Sequence, residues 1–307
     1  MSGPSPQRPR LGSSPEFDLI GAIAELMEAT LEASETPAGI TIGIGDDAAV
    51  TVPTGATATT IDALVDGVAF RRRWCPPRSV GRKGLAAALS DLAAMGARPG
   101  EAYVWLGRPD DFDRDACLEL AGGLAELAAE HGVAVLGGDV TAAPALSVCV
   151  AAVGHAGSAA ELVGRSGAEP GGALCVTGEV GGAAAGLMLL EHDELAAEVP
   201  AGVRDAVVAR QLDPAPRLAV GAALAAAGAV AMIDVSDGVG ADARHLAAAS
   251  GAGVEIELGR LPLAAGVLEV AAAAGRDPLE LAASGGEDYE LLCAIPRGRL
   301  TAATAAA

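Results

Sequence analysis

Aromatic side chains are scarce in this chain: its 307 residues include two Trp, two Tyr and three Phe. That excludes the stacking platforms on which single-stranded nucleic acid is bound, and it leaves the core to Ala, Val and Leu. Basic residues are scarce too, 20 Lys and Arg against 40 Asp and Glu, for a formal net charge of -20. A nucleic-acid backbone would be repelled, and any phosphate ligand is expected to arrive with bound cations. The five cysteines, Cys75, Cys117, Cys149, Cys175 and Cys293, form no CxxC pair, which argues against a disulfide frame or a zinc site and for thiols kept in a reducing cytoplasm. Long apolar runs are missing as well. Ala219 to Ile233 extends for about 15 residues, short of the ~20 that a membrane span requires. The opening MSGPSPQRPRLGSSP has no hydrophobic segment behind its charges and prolines, so residues 1–15 read as a flexible tail and not a signal peptide. His131, His155, His192 and His245 share no ligand spacing, and no Ser/His/Asp or Cys/His arrangement can be drawn.

What is present is an alternation of strand and helix patterns. Ser13 and Glu16 have capping-box spacing ahead of Phe17, Ile20, Ile23, Leu26 and Met27, which recur at helical intervals. Strands are predicted near Ile40–Ile44, Thr57–Val65, Tyr103–Leu106, Val133–Leu136 and Leu146–Val153, and helices over Val80–Met95 and Asp113–His131, the latter stopped by Gly132. This order predicts a mixed α and β domain over residues 16–155. A Gly- and Pro-marked stretch, Ala156–Gly172, leads to a second domain over 156–307 that begins with the strand Ala173–Thr177. The turn Gly178–Gly182 that follows is either an anion cradle at a helix start or a close helix-strand contact.

Aspartates recur where predicted elements give way to glycine or small residues. GIGDDAAV holds Asp46 and Asp47, TTIDALVDG holds Asp62, ALSDLAAMGA holds Asp91, VLGGDV ends at Asp139, and IDVSDG holds Asp234 and Asp237. Singly, each has a structural alternative; Ser236 or Asp237, for example, would cap the helix that closes at Gly251. Asp91 and Asp62 are harder to dismiss, because each lies among apolar neighbours where an unpaired carboxylate is costly. The short acid holds a hard cation close to the backbone. Taken together the set points to several Mg²⁺ ions carrying a nucleotide polyphosphate.

The segments GIGDDAAV, DALVDGVAF, LSDLAAMGA, GGD, GRSGAEPG, VTGEVGGAAAGL, IDVSDG and SGGEDYEL, in this order over about residues 16 to 295, resemble the thiamine-monophosphate kinase family of the aminoimidazole ribonucleotide synthetase superfamily. The resemblance implies an α+β two-domain fold, an N-terminal mixed sheet with helices and a C-terminal α/β domain, and a homodimer paired through its N-terminal domains. It implies γ-phosphoryl transfer from ATP to thiamine monophosphate, giving thiamine diphosphate. Asp47, Thr60, Asp62, Asp91, Asp139, Asp234 and Asp237 would then be metal ligands. Gly138, Asp139, Arg165 and Ser236 would bind ATP, and Glu287 would face the thiamine end. Without the resemblance, Arg165 reads as a surface arginine in a polar turn, and Glu287 and Asp288 fit a solvated turn as well.

The match has departures. Ala69 stands before Phe70 where the family has a substrate-contacting histidine, Ile61 where it has threonine, Ala88 where it has asparagine and Val140 where it has threonine. The family continues beyond the segment that here ends in TAATAAA, so a shortened second domain is expected. Two alternatives stay open: another ATP-dependent small-molecule kinase or synthetase of the superfamily, and a catalytically impaired Mg-ATP-binding homologue.

Overall fold

The computed structural model describes residues 15–31, 39–44 and 48–306; Ser13, half of the expected capping box, lies outside them. The first half contains α1 (Pro15–Leu31), β1 (Gly39–Ile42), β2 (Val50–Val52), β3 (Ala56–Val65), α2 (Pro77–Ala94), β4 (Arg98–Arg108), α3 (Arg114–His131), β5 (Ala134–Ala142) and β6 (Ser147–Ala156). β1 and β2 form an antiparallel ribbon, and the others a four-stranded sheet in the order β3-β6-β4-β5. β6 runs antiparallel to both β3 and β4, and β5 is parallel to β4.

Next come β7 (Ala173–Val176), α4 (Gly182–Glu191), α5 (Asp193–Glu198), α6 (Ala201–Leu212), α7 (Leu218–Ala227), β8 (Ala231–Asp234), α8 (Val239–Ser250), α9 (Val267–Ala273), α10 (Pro278–Ser284), β9 (Leu291–Ile295) and α11 (Leu300–Ala306). Here the sheet is antiparallel, ordered β7-β9-β8. Since β8 ends opposite the start of β9, Asp234 facing Leu291, the segments after β8 and before β9 emerge side by side.

Local chemistry explains the clearest boundaries. Asp113 accepts a hydrogen bond from the Ala116 amide at 2.9 Å, and α3 ends where Gly132 turns left-handed at φ 66°, a conformation that suits glycine. Pro77 opens α2, where its missing N–H costs nothing.

α2 is the structural axis. It packs against α3, α7, β3, β6 and β8, so it touches both sheets, and almost every residue from Val80 to Ala94 is buried. Such crowding needs small residues. A Cβ on Gly81 would stand 2.0 Å from the Leu120 carbonyl oxygen, and one on Gly221 of α7 2.0 Å from that of Ala93. The alanine and glycine richness of the sequence thus serves close backbone approach. The largest core cluster runs through this contact, joining Leu85, Leu89 and Leu92 to Met232, Leu291 and Cys293.

The helices cover one face of the four-stranded sheet. On the other, Ile61 is 69% and Trp105 38% exposed, and the row Ala63, Cys149, Trp105, Asp139 crosses all four strands in register.

Candidate active site

Three aspartates that are far apart in sequence come together around the C-terminal half of α2. Ser90 Oγ donates to Asp234 Oδ2 at 2.8 Å, joining α2 to the end of β8. Thr60 on β3 donates its hydroxyl to Asp91 Oδ2, and Asp62 and Asp91 lie close enough to repel and hydrogen-bond each other. Asp234 is buried, and its carboxyl is pushed up to about 7, first by desolvation and then by the nearby charges of Asp91, Asp242 and Asp62, against the Ser90 hydrogen bond. Asp62 is shifted upward for the same reasons, burial first and Asp91 second. Among the described residues none of the three carboxylates has a Lys, Arg or His ion-pair partner. The cluster is therefore an uncompensated concentration of hard oxygen donors, which suits a hard divalent cation. Among the described residues no three His, Cys, Asp or Glu side chains are already gathered round one point as ligands, and Asp46 and Asp47 lie outside those residues.

The segment after β8 lies against the segment before β9. The Glu287 amide donates to Ser236 O at 2.9 Å, that of Tyr289 to Val235 O at 2.9 Å, and that of Val235 to Glu290 O at 2.7 Å. The approach is close enough that a Cβ on Gly286 would stand 2.3 Å from Ser236 O, which is why glycine is needed there. Glu287 and Tyr289 both have left-handed backbones, φ 65° and 50°. Tyr289 is buried, and its hydroxyl is held far above its ordinary range by burial and then by the charges of Glu287, Asp62, Asp234 and Asp91. Glu290 is fully buried and receives Arg217 Nε at 2.9 Å and Nη2 at 2.5 Å, with Thr177 Oγ1 at 2.7 Å.

Two alternatives left open by the sequence are decided here. Neither Ser236 nor Asp237 caps α8: Gly238 occupies the N-cap without a side-chain bond, and Asp242, one turn inside, accepts the Asp237 amide at 3.1 Å. The reversed cap frees the Ser236 and Asp237 side chains. The glycine-rich turn before α4 is not an open anion cradle either. Asp288 fills it, accepting from the Gly181 amide at 2.6 Å and the Ala183 amide at 3.1 Å, and burial raises its carboxyl to about 6 despite these bonds.

Residues 45–156 match the family model for the AIR synthase related protein, N-terminal domain. A curated thiamine-monophosphate kinase from Mycobacterium tuberculosis is 38% identical over 283 residues, covering 91% of this chain and 82% of that one. The crystal structure of thiamine-monophosphate kinase from Stenotrophomonas maltophilia aligns with a TM-score of 0.82 at 34% identity, over 92% of this chain and 88% of that one. The chain belongs to the thiamine-monophosphate kinase family. A ThiL structure complexed with AMPPCP and TMP aligns with a TM-score of 0.75 at 30% identity, over 92% of this chain and 86% of that one. The aminoimidazole ribonucleotide synthetase-like fold expected from the motifs is the fold of this kinase-family chain.

Apart from Asp47, which lies outside the described residues, the site residues expected for this family divide into three groups. Thr60, Asp62, Asp91 and Asp234 converge, with Ser236 and Glu287 adjoining them through the paired segments. Asp237 is exposed nearby, and Arg165 is exposed, its carbonyl accepting from Ser250 Oγ at 3.2 Å. Gly138 and Asp139 lie on β5, at the opposite edge of the sheet from Asp62. There Asp139 is exposed and accepts from Thr141 Oγ1 at 2.6 Å. Ser90 and Tyr289 stand inside LSDLAAMGA and SGGEDYEL without a role of their own being legible there, and Lys83, Gln211 and Arg217 lie outside the quoted motifs. A lone lysine in the run GRKGLAAALSD is the available signal for Lys83; Gln211 and Arg217 carry none.

Proposed function

We propose that this chain transfers the γ-phosphoryl group of ATP directly to the phosphate of thiamine monophosphate, releasing ADP and forming thiamine diphosphate. The observation that carries the reading is the convergence of Asp62, Asp91 and Asp234, from three separate segments, with no Lys, Arg or His ion-pair partner among the described residues. A phosphate oxygen of the acceptor forms the new bond to the γ-phosphorus while the bridge to the β-phosphate breaks. The acceptor is already ionised, so no protein nucleophile or strong base is needed. The task is to align two anions and offset their repulsion.

Asp47, Asp62, Asp91 and Asp234 would hold Mg²⁺, with Thr60 beside them and Asp237 on a further ion. When bound, Mg²⁺ supplies positive charge between the two phosphates. Ser236 and Arg165 would contact ATP, the arginine as a fork for phosphate. Asp139, with Gly138, sits at the far edge and on the open face, and would join such a site from a second copy. The exposed Ile61 and Trp105 on that face support a homodimer. Among the described residues no helix is long and apolar enough to cross a membrane, and the five unbridged cysteines support a cytoplasmic setting. We also propose the two-domain division at residues 155–156, where the chain leaves the four-stranded sheet.

A second reading, an impaired Mg-ATP-binding homologue or a kinase or synthetase with another acceptor, is favoured by Ala69, which offers no imidazole to substrate. Incubating the chain with Mg-ATP and thiamine monophosphate and looking for thiamine diphosphate by mass decides between them. ATP binding without product, or product from another phosphate acceptor only, would refute the leading reading.

A further inference from the structure

We infer that Lys83 is a positioning residue for the acceptor, holding Glu287 in place across the junction between the two sheets. This rests on the reading above, in which Glu287 meets the thiamine end. Lys83 lies on α2 two turns before Ser90 and Asp91, and its side chain is 2% exposed. Nζ donates to Glu287 Oε2 at 3.1 Å and to the Gln211 carbonyl in the last turn of α6 at 3.0 Å. A buried ammonium persists only with a charge partner, and Glu287 is that partner. Glu287 Oε2 also accepts from Gln211 Nε2 at 2.5 Å.

The grip is needed because of the Glu287 backbone. At φ 65° it sits where a residue with a Cβ stays only if its surroundings hold it. Lys83 and Gln211 hold its side chain, and Ser236 O holds its amide at 2.9 Å. General bracing of α2 has its own device next door, where Arg82 binds Asp213 at 2.7 Å and Glu130 at 2.8 Å. The buried cation is spent instead on the one residue expected to face the acceptor. Gln211 Oε1, buried and without a partner among the described residues, leaves an acceptor atom beside Glu287 that suits an N–H donor and not a phosphate oxygen.

The test compares wild type, Lys83→Met and Lys83→Arg for the KM of thiamine monophosphate, the KM of ATP, and hydrogen exchange of residues 284–290. In Lys83→Met the acceptor KM is expected to rise about tenfold or more, the ATP KM to stay within about twofold, and the 284–290 amides to exchange faster. Lys83→Arg, which keeps the charge, should recover part of the loss. Equal rises in both KM values, or unchanged loop exchange, would overturn the proposal. If Lys83→Met fails to fold, Gln211→Leu removes the second holder of Glu287 and is read the same way. If wild type makes no thiamine diphosphate, the functional reading fails, and loop exchange alone decides whether Lys83 positions Glu287.

Discussion

Asp234 shows the conflict between site and stability at the scale of one side chain. Its carboxyl, raised to about 7 from the ordinary 3.8, binds a proton more tightly in the fold than in the unfolded chain. Its contribution to metal-free stability is therefore full below about pH 4 and is lost as pH rises through about 7. Asp234→Asn should leave the metal-free protein at pH 8 more stable by a few kcal/mol at most while lowering turnover at least ~100-fold. Asp91→Asn should lose turnover similarly with the fold intact. Urea titration and product mass measure these effects, and normal turnover in either variant would refute the metal assignment. Asp288 follows the same sign: raised to about 6 from 3.8, it is stabilising when protonated, and that contribution fades between about pH 4 and 6. Asp288→Asn should flatten the pH dependence of stability in that window, removing up to about 3 kcal/mol. Parallel urea-midpoint curves for wild type and variant would contradict this.

At the scale of elements, α2 decides most of the architecture. One helix carries Lys83, Ser90 and Asp91 toward β8, α6 and the segment before β9, while its Gly81 lets α3 approach and Gly221 of α7 lets that helix close on it. Gly221→Ala sets a methyl 2.0 Å from the Ala93 carbonyl oxygen, a contact relieved only by moving α7. We expect a loss of about 1–3 kcal/mol, read from the denaturation midpoint, with activity falling as the Ser90–Asp234 contact loosens. An unchanged midpoint would mean that α7 shifts freely. Helix ends are legible in the sequence because capping acts between near neighbours: Asp113 and Gly132 bound α3 as expected, and Gly251 stops α8. The start of α8 is not legible in this way, because its cap comes from Asp242, inside the helix, a reversal that composition does not mark.

At the scale of the whole molecule, the feature left uncovered is the open face of the four-stranded sheet. Ile61 and Trp105 are exposed there, and a second copy covering them would also bring in Asp139. Ile61→Asp or Trp105→Glu should halve the particle mass seen by light scattering and reduce turnover, while circular dichroism stays the same. A wild-type monomer with full activity would refute the homodimer.

The sequence by itself determined the main strands and helices of the first half and the family, because periodicity, turn chemistry and contiguous motifs such as LSDLAAMGA and SGGEDYEL lie along the chain, whereas most elements after residue 190 had no such local mark. Only the tertiary structure decided which of the aspartates meet. Asp62, Asp91 and Asp234 do so because α2 lies between two sheets, whereas Asp139 is carried to the far edge by strand order. The pairing of Lys83 with Glu287, 204 positions apart, and the filling of the α4 cradle by Asp288 were likewise invisible. Such contacts depend on where separate elements cross, and a crossing leaves no local pattern.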